Sequence, residues 1–135
     1  MALEIKPRER EGIVILDLSG RITVGEEAGI LRDAFSGLAA SKNVILNLRD
    51  VSFIDSTGLG ALVRGFTSLA KLGGRLKLEN LRRRHIELLV FTKLATVFEI
   101  FTDEQDAVNS FFPDREINRF DILSFVQDQM GREGA

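Results

Sequence analysis

Short apolar runs rich in β-branched residues alternate along this chain with stretches in which apolar side chains recur at helical spacing. The clearest unit is the run Val44–Leu48, continued by Val51–Ile54 and followed by a helical repeat over 57–72. Leu76–Leu78 is then predicted to form another strand. Strands and helices that alternate at this length form parallel crossovers, because parallel strands need a connection about as long as a helix. The sequence therefore predicts an α/β fold.

An antiparallel hairpin is expected at the start of the chain. Residues 3–8 and the more apolar run 13–18 can both form strands, and Glu11-Gly12 between them suits a tight turn. Added to the parallel strands, this hairpin gives a mixed sheet of four to five strands.

Two helices are expected to open with capping boxes, in which a hydroxyl and a carboxamide or carboxylate three residues later satisfy free backbone N–H groups. The first pairs Thr23 with Glu26, and the second pairs Thr102 with Gln105 and ends at Pro113. With the 57–72 helix and one around residues 86–90, about four helices surround the sheet, and Val97–Phe101 forms a last short strand.

The segment after residue 112 has its own pattern. Apolar side chains recur every three or four residues between polar ones, which predicts an amphipathic helix over 114–130 that buries Ile117, Phe120, Leu123 and Val126. We therefore divide the chain into a domain over 1–112 and a C-terminal helical extension over 113–135, which packs on that domain or forms a homodimer contact.

Composition excludes several classes of protein. With 135 residues, 44% of them hydrophobic, the chain is long enough for one globular core. Its formal net charge of -2 gives no bulk attraction to nucleic acid or to a membrane surface, and no cysteine is present for a disulfide or a thiolate. Because no run approaches the ~20 apolar residues of a membrane span, we expect a cytoplasmic protein.

The junction between the 44–54 strand region and the 57–72 helix is the candidate site. It consists of Asp55, Ser56, Thr57, Gly58, Leu59 and Gly60. One of the first three residues should cap the helix. Because a helix N-terminus stabilises negative charge, Ser56 is placed to carry a phosphate or to lie beside one.

Catalysis by this junction is poorly supported, although Asp55, Ser56 and His85 are the residue types of a hydrolytic triad. Ile54 stands where the nucleophile elbow Gly-x-Ser-x-Gly needs its first glycine. The single histidine follows three arginines, which oppose its protonation, and we expect it at the surface near a helix start.

Nucleotide and metal binding have no motif. Gly58 and Gly60 lack the third glycine of a dinucleotide fingerprint, so we expect them to let the helix pack closely on a strand. The acidic residues Asp103, Glu104 and Asp106 suit compensation of a helix dipole better than a calcium loop. We therefore expect no enzyme activity, no cofactor and no bound metal.

The run Arg82, Arg83 and Arg84 opens a predicted helix, where positive charge is locally unfavourable. It is either a solvated face or a patch that meets an acidic partner.

The motif 55–60, with the strand residues before it, resembles that of bacterial anti-anti-sigma factors of the STAS domain family, and the resemblance covers roughly residues 3–112. It implies a mixed sheet with surrounding helices that binds an anti-sigma factor, which is also a serine kinase. It further implies that this kinase phosphorylates Ser56 and so ends the binding, and that a serine phosphatase reverses the step.

The partner is then expected to cover Asp55, Ser56 and the first turns of the following helix, with the three arginines at the rim. Two other classes stay open. Similar domains serve as small cytoplasmic subunits of lipid transporters, and a serine hydrolase is the third class.

Overall fold

A computed structural model describes residues 3–23, 25–38, 43–118 and 123–127 of the chain. The strands are β1 (Leu3–Arg10), β2 (Ile13–Ile22), β3 (Asn43–Ile54), β4 (Arg75–Glu79) and β5 (Ile100–Phe101), and the helices are α1 (Glu26–Ser36), α2 (Ser56–Lys71), α3 (Arg83–Phe91) and α4 (Glu104–Asn109). Residues 123–127 are also helical. In the described part of the chain, no helix combines the length and the apolar character that crossing a bilayer requires.

The five strands lie side by side in chain order, β1 to β5, in one mixed sheet. β1 and β2 are antiparallel, and Arg10 pairs with Ile13 across the turn. Glu11 and Gly12 have φ of 53° and 82°, the left-handed conformation that a two-residue hairpin turn requires. The other three pairings are parallel. The predicted α/β class, the N-terminal hairpin and the mixed sheet are confirmed.

Side chains alternate between two cores, one on each face of the sheet. Val44, Leu46 and Leu48 of β3 point into the larger core, where they meet apolar residues of α1, α2 and α3. Ile45 points the other way and joins Ala107 and Val108 of α4 in a smaller core. Because both faces are covered, the central strand is apolar on both sides, as its sequence indicated.

Neither predicted capping box forms, because both helices begin at residues other than those predicted. α1 begins at Glu26 after Gly25, whose φ of 100° is a conformation that glycine adopts freely, and no side chain caps it. The chain turns at Gly25, so Thr23 lies too early to cap. α4 is capped by Asp103, which accepts a hydrogen bond of 3.2 Å from the Asp106 N–H, one residue later than predicted.

The last strand is shorter than the predicted Val97–Phe101. Only Ile100 and Phe101 pair with β4. The preceding residues turn, and the Phe98 ring packs edge-on against Phe66 at a centroid distance of 5.4 Å. Core packing of Phe98 therefore replaces strand pairing.

The predicted helix over 114–130 is also wrong in extent. Residues 116–118 are not helical, and Ile117 is partly buried against the smaller core. In the described residues after Pro113, the helix is confined to 123–127, where Val126 is partly buried and Leu123 is 67% exposed. Phe120 lies outside the described residues.

Candidate functional site

The site begins where β3 ends and α2 starts. Asp55 is the N-cap of α2, and its carboxylate accepts a hydrogen bond of 2.8 Å from the Gly58 N–H. Ser56 is the first residue of the helix, and both Ser56 and Thr57 are exposed. The predicted cap is confirmed, and two hydroxyls stand at the positive end of a 16-residue helix.

Gly58 explains why this helix can start so close to the sheet. A Cβ at Gly58 would overlap the backbone carbonyl of Ile22, the last residue of β2. The Asp55 N–H donates to the same carbonyl, at 3.3 Å. Gly60 differs, because a Cβ there would meet only the end of the Arg64 side chain, at 3.4 Å. Of these two glycines, only Gly58 is required for close packing on the strand, and the expectation for Gly60 is wrong.

The motif residues divide between surface and support. Ser56 and Thr57 are exposed and Asp55 is partly buried, whereas Gly58 and Leu59 are buried beneath them. A partner that reaches this surface would contact the exposed residues directly. The buried residues fix the position and direction of the start of α2.

The arginine run lies along the end of β3, the strand that leads to Ser56. Arg82 is the N-cap residue of α3, and its Nε donates to the Arg49 carbonyl at 3.3 Å. A guanidinium N–H of Arg84 donates to the Ser52 carbonyl at 3.4 Å. These bonds hold the basic side chains beside the candidate site.

Two further contacts complete the arginine run. Arg83 pairs with Glu87 at 3.2 Å, and its guanidinium lies 5.3 Å from the centre of the Phe125 ring in the C-terminal segment. The run therefore forms an arginine edge, which is exposed to solvent and anchored to β3 and to Glu87.

Phe53 is a candidate site residue that the sequence did not single out. It is 48% exposed at the end of β3, between the arginine edge and the helix start. No sequence signal marked it, because strict alternation along Val51-Ser52-Phe53-Ile54 places Phe53 on the same side of β3 as Val51, which is buried. Exposed aromatic residues of this kind often anchor partner proteins.

His85 is buried, 2% exposed, which corrects the expectation of a surface histidine. The core-facing side of α3 carries it inward together with Ile86 and Leu89. Neither ring nitrogen has a hydrogen-bond partner among the described residues. Burial, reinforced by Arg82 and Arg84, lowers the pKa of His85 to about 4. The imidazole therefore does not activate Ser56, and the triad residues are not assembled.

The acidic start of α4 belongs to a polar network on the opposite face of the sheet. Glu104 accepts hydrogen bonds from Arg8 and Arg10 of β1, the latter at 2.8 Å, and Arg8 also binds Asp17 at 2.7 Å. Glu104 therefore does more than compensate the dipole of α4, because it also pairs with two arginines of β1. In the described ranges, no three His, Cys, Asp or Glu side chains are grouped to hold a metal ion.

Glu79 at the end of β4 is the buried member of this network, with no exposed surface. Its Oε2 accepts a hydrogen bond of 3.2 Å from the Asn80 side chain. Its Oε1 forms no hydrogen bond with any of the described residues. Burial and the neighbouring Glu104 carboxylate raise the pKa of Glu79, and hydrogen bonds from Arg8 lower the pKa of Glu104. A proton held on Glu79 would allow a hydrogen bond between its carboxyl group and the neighbouring Glu104 carboxylate.

The sheet order, the helices on both faces and the exposed serine at a helix N-terminus define a small α/β domain with a hydroxyl-bearing surface. The chain belongs to the STAS domain family, whose model matches residues 4–107.

Relatives and solved structures agree with this assignment. An anti-sigma-B factor antagonist of Bacillus subtilis is 35% identical over 109 residues, which cover 80% of this chain and 99% of the relative. The crystal structure of a putative anti-sigma factor antagonist from Thermotoga maritima has a TM-score of 0.72 at 24% identity, covering 78% of this chain and 92% of that one. The phosphorylated form of SpoIIAA from Bacillus has a TM-score of 0.61 at 20% identity, with coverages of 80% and 99%. The two structures show that the fold is shared.

Proposed function

We propose that this chain is an anti-sigma factor antagonist: it binds an anti-sigma factor with serine-kinase activity and is released when Ser56 is phosphorylated. The observation that carries the proposal is the exposed Ser56 at the first position of α2. The 35% identical relative, named an anti-sigma-B factor antagonist, supports it at nearly full length.

Ser56 suits the role of a substrate better than that of a nucleophile. A nucleophilic serine needs a base within hydrogen-bond reach, and the ring nitrogens of the single histidine are buried without such a bond to any described residue. The hydroxyl itself is open to an incoming enzyme. We therefore assign catalysis to the partners, a kinase that adds the phosphate and a phosphatase that removes it, and none to this chain.

The fold should tolerate the phosphate. It would lie at the N-terminus of α2, where the helix dipole and backbone N–H groups favour negative charge. The first turn of α2 contains no acidic residue, and Asp55 is already engaged with the Gly58 N–H. Phosphorylation therefore changes the surface and leaves the domain folded.

The interface should not tolerate the phosphate. A group of about -2 charge would have to be desolvated beside Asp55 when the partner binds. Burying such a charge without a matched cation costs several kcal/mol, and each ~1.4 kcal/mol is tenfold in affinity. A cost of about 3 kcal/mol already weakens binding more than a hundredfold.

The proposed partner surface extends from Asp55 and Ser56, over the first turns of α2, to Phe53 and the arginine edge. Phe53 supplies an exposed aromatic side chain, and Arg82 and Arg84 are held to β3 beside it. An apolar centre with a charged rim is the usual anatomy of a specific interface. In this proposal the chain acts in the cytoplasm, with residues 1–112 as the switch domain and 113–135 as an extension.

Mass spectrometry after incubation with the partner kinase and ATP tests the proposal. The partner is first isolated by pull-down with the unphosphorylated chain. We expect one phosphate on Ser56, none on Ser56→Ala, and normal labelling of Thr57→Ala, the matched exposed hydroxyl. Labelling of Ser56→Ala, or capture of a transporter ATPase in place of a kinase, would contradict the proposed switch.

A further inference from the structure

A groove of about 460 Å³ lies between α1 and α2, within the larger of the two helical layers. Phe35 of α1 packs directly over Gly65 of α2, where a Cβ would overlap the phenyl ring. This close contact leaves a concave surface whose apolar wall includes Leu38, Leu69 and Leu72. A volume of this size falls in the ~300–1,000 Å³ range typical of small-ligand sites.

The groove has a direction because α1 and α2 run the same way. Each helix connects two parallel neighbouring strands, and both helices pack in the same core. With Phe35 level with Gly65, Leu38 and Leu72 lie toward the C-terminal ends of the two helices. This end of the groove is apolar, and Leu72 is 54% exposed there.

The other end is cationic. Arg32 and Arg64 both line the groove. Their guanidinium groups reach back toward the helix N-termini, since Arg32 Nη2 lies 3.9 Å from the Cβ position of Gly29 and Arg64 Nη1 lies 3.4 Å from that of Gly60. The only ion pair at this end among the described residues joins Arg32 to Asp33 at 3.8 Å, with both side chains more than 70% exposed. An exposed pair of this kind neutralises little charge.

From this arrangement we propose that the α1/α2 groove binds a free medium-chain fatty acid, with its carboxylate at Arg32 and Arg64 and its alkyl chain along Phe35, Leu69 and Leu72. The lining residues span 32–38 on the α1 side and 61–72 on the α2 side, which is ~10 to ~16 Å along the groove. One cationic end followed by an apolar wall suits a ligand that has a single terminal carboxylate and an extended alkyl chain. The inference is independent of phosphorylation at Ser56.

Calorimetric titration of the full chain with octanoate, decanoate and dodecanoate, each below its micelle concentration, tests the site. Affinity should rise about two- to fourfold for each added CH₂ until the groove is filled. Dodecyltrimethylammonium, which carries the opposite charge on the same chain length, should bind at least tenfold more weakly than dodecanoate.

Variants locate the binding. Arg64→Glu should weaken dodecanoate binding at least fivefold, and Ser68→Phe, which fills the groove from an exposed lining position, should abolish it. Lys71→Glu is the matched control, because it makes the same charge change on the same helix outside the groove lining and should leave binding within twofold.

Three results would overturn the proposal. The first is no heat of binding with any of the fatty acids. The second is equal affinity for the cationic and anionic amphiphiles, or equal loss in the Lys71→Glu control. The third is binding to phosphatidylglycerol vesicles or to a partner protein that depends on Arg64 while free dodecanoate does not bind, which would make the groove a membrane or protein surface.

Discussion

At the scale of single residues, the junction around Ser56, the proposed phosphorylation site, combines an exposed hydroxyl with neighbours that hold it in place. Asp55 caps α2 through the Gly58 N–H, and Gly58 lies against the Ile22 carbonyl. The hydroxyl is therefore presented from a helix start that the cap and the close packing hold in place, which suits the proposed recognition by a kinase.

Ser56→Asp should fold normally and bind the anti-sigma partner more than a hundredfold more weakly than the wild-type chain. The added carboxylate is favourable at the helix N-terminus but would be desolvated beside Asp55 in the complex. Surface plasmon resonance gives the affinity and circular dichroism checks the fold. Binding within tenfold of wild type would show that charge at this position does not control the interface.

Gly58→Ala should destabilise the domain by roughly 1–3 kcal/mol, because the new methyl group overlaps a backbone carbonyl that cannot move away cheaply. Gly60→Ala is the matched control: its Cβ meets only a flexible arginine end, so the gain in helix propensity should leave stability equal or up to ~1 kcal/mol higher. Urea unfolding midpoints compare the two. Equal losses in both variants would refute the packing argument.

At the scale of elements, local signals located the strands and helices well but not all of their ends. The hairpin turn, β3 and the start of α2 depend on neighbouring residues and were predicted correctly. The start of α1 was misplaced because Gly25 with φ of 100° redirects the chain after the apparent cap. β5 was overestimated because Phe98 packs into the core, a contact that no local pattern encodes.

The arginine edge and Phe53 should contribute differently to partner binding. Replacing Arg82, Arg83 and Arg84 by alanine should slow association in a salt-dependent manner and change dissociation little, because exposed rim charges act mainly by steering. Phe53→Ala should instead accelerate dissociation, as expected for an aromatic anchor. Stopped-flow kinetics at two salt concentrations separates these effects, and the reverse assignment of rates would place the arginines at the interface centre.

Deleting residues 114–135 should lower the melting temperature. The deletion removes Ile117 from the smaller core, the Arg115–Glu11 ion pair of 2.9 Å and the contact of Arg83 with Phe125. Burial of a few hundred Å² at ~25 cal/mol per Å² contributes several kcal/mol before ordering entropy is subtracted. Scanning calorimetry and sedimentation velocity check stability and oligomeric state. An unchanged melting temperature and oligomeric state would make the segment a loose appendage.

At the scale of the whole molecule, two buried titratable groups give stability opposite dependences on pH. His85 stays neutral in the fold because its pKa is lowered from 6.5 to about 4, so its contribution is lost as pH falls from 6.5 toward 4. Glu79 has a pKa raised above 4.5 and keeps its proton where the unfolded chain has lost it, so its contribution is lost as pH rises above 4.5. The two slopes oppose each other between these values.

Single substitutions should expose each slope. In His85→Leu, stability should fall with rising pH between 5 and 6 relative to wild type, and in Glu79→Gln it should rise, by up to ~1.4 kcal/mol per pH unit for one group. Glutamine keeps a donor that can reach Glu104. Urea unfolding at pH 5, 5.5 and 6 measures the difference, and parallel curves for all three proteins would mean that neither group titrates as proposed.

What the sequence determined by itself is local. The apolar runs, the Glu11-Gly12 turn, the Asp55 cap and the placement of Ser56 at a helix start follow from backbone preferences and hydrogen bonds between near neighbours, and they also indicated the STAS family that residues 4–107 match. Tertiary structure alone decided the burial of His85 and Glu79, the docking of Arg82 and Arg84 on β3, the exposure of Phe53 and the groove between α1 and α2. These features join residues that are far apart in the chain, and their energies come from desolvation and packing that exist only once the sheet and helices have assembled.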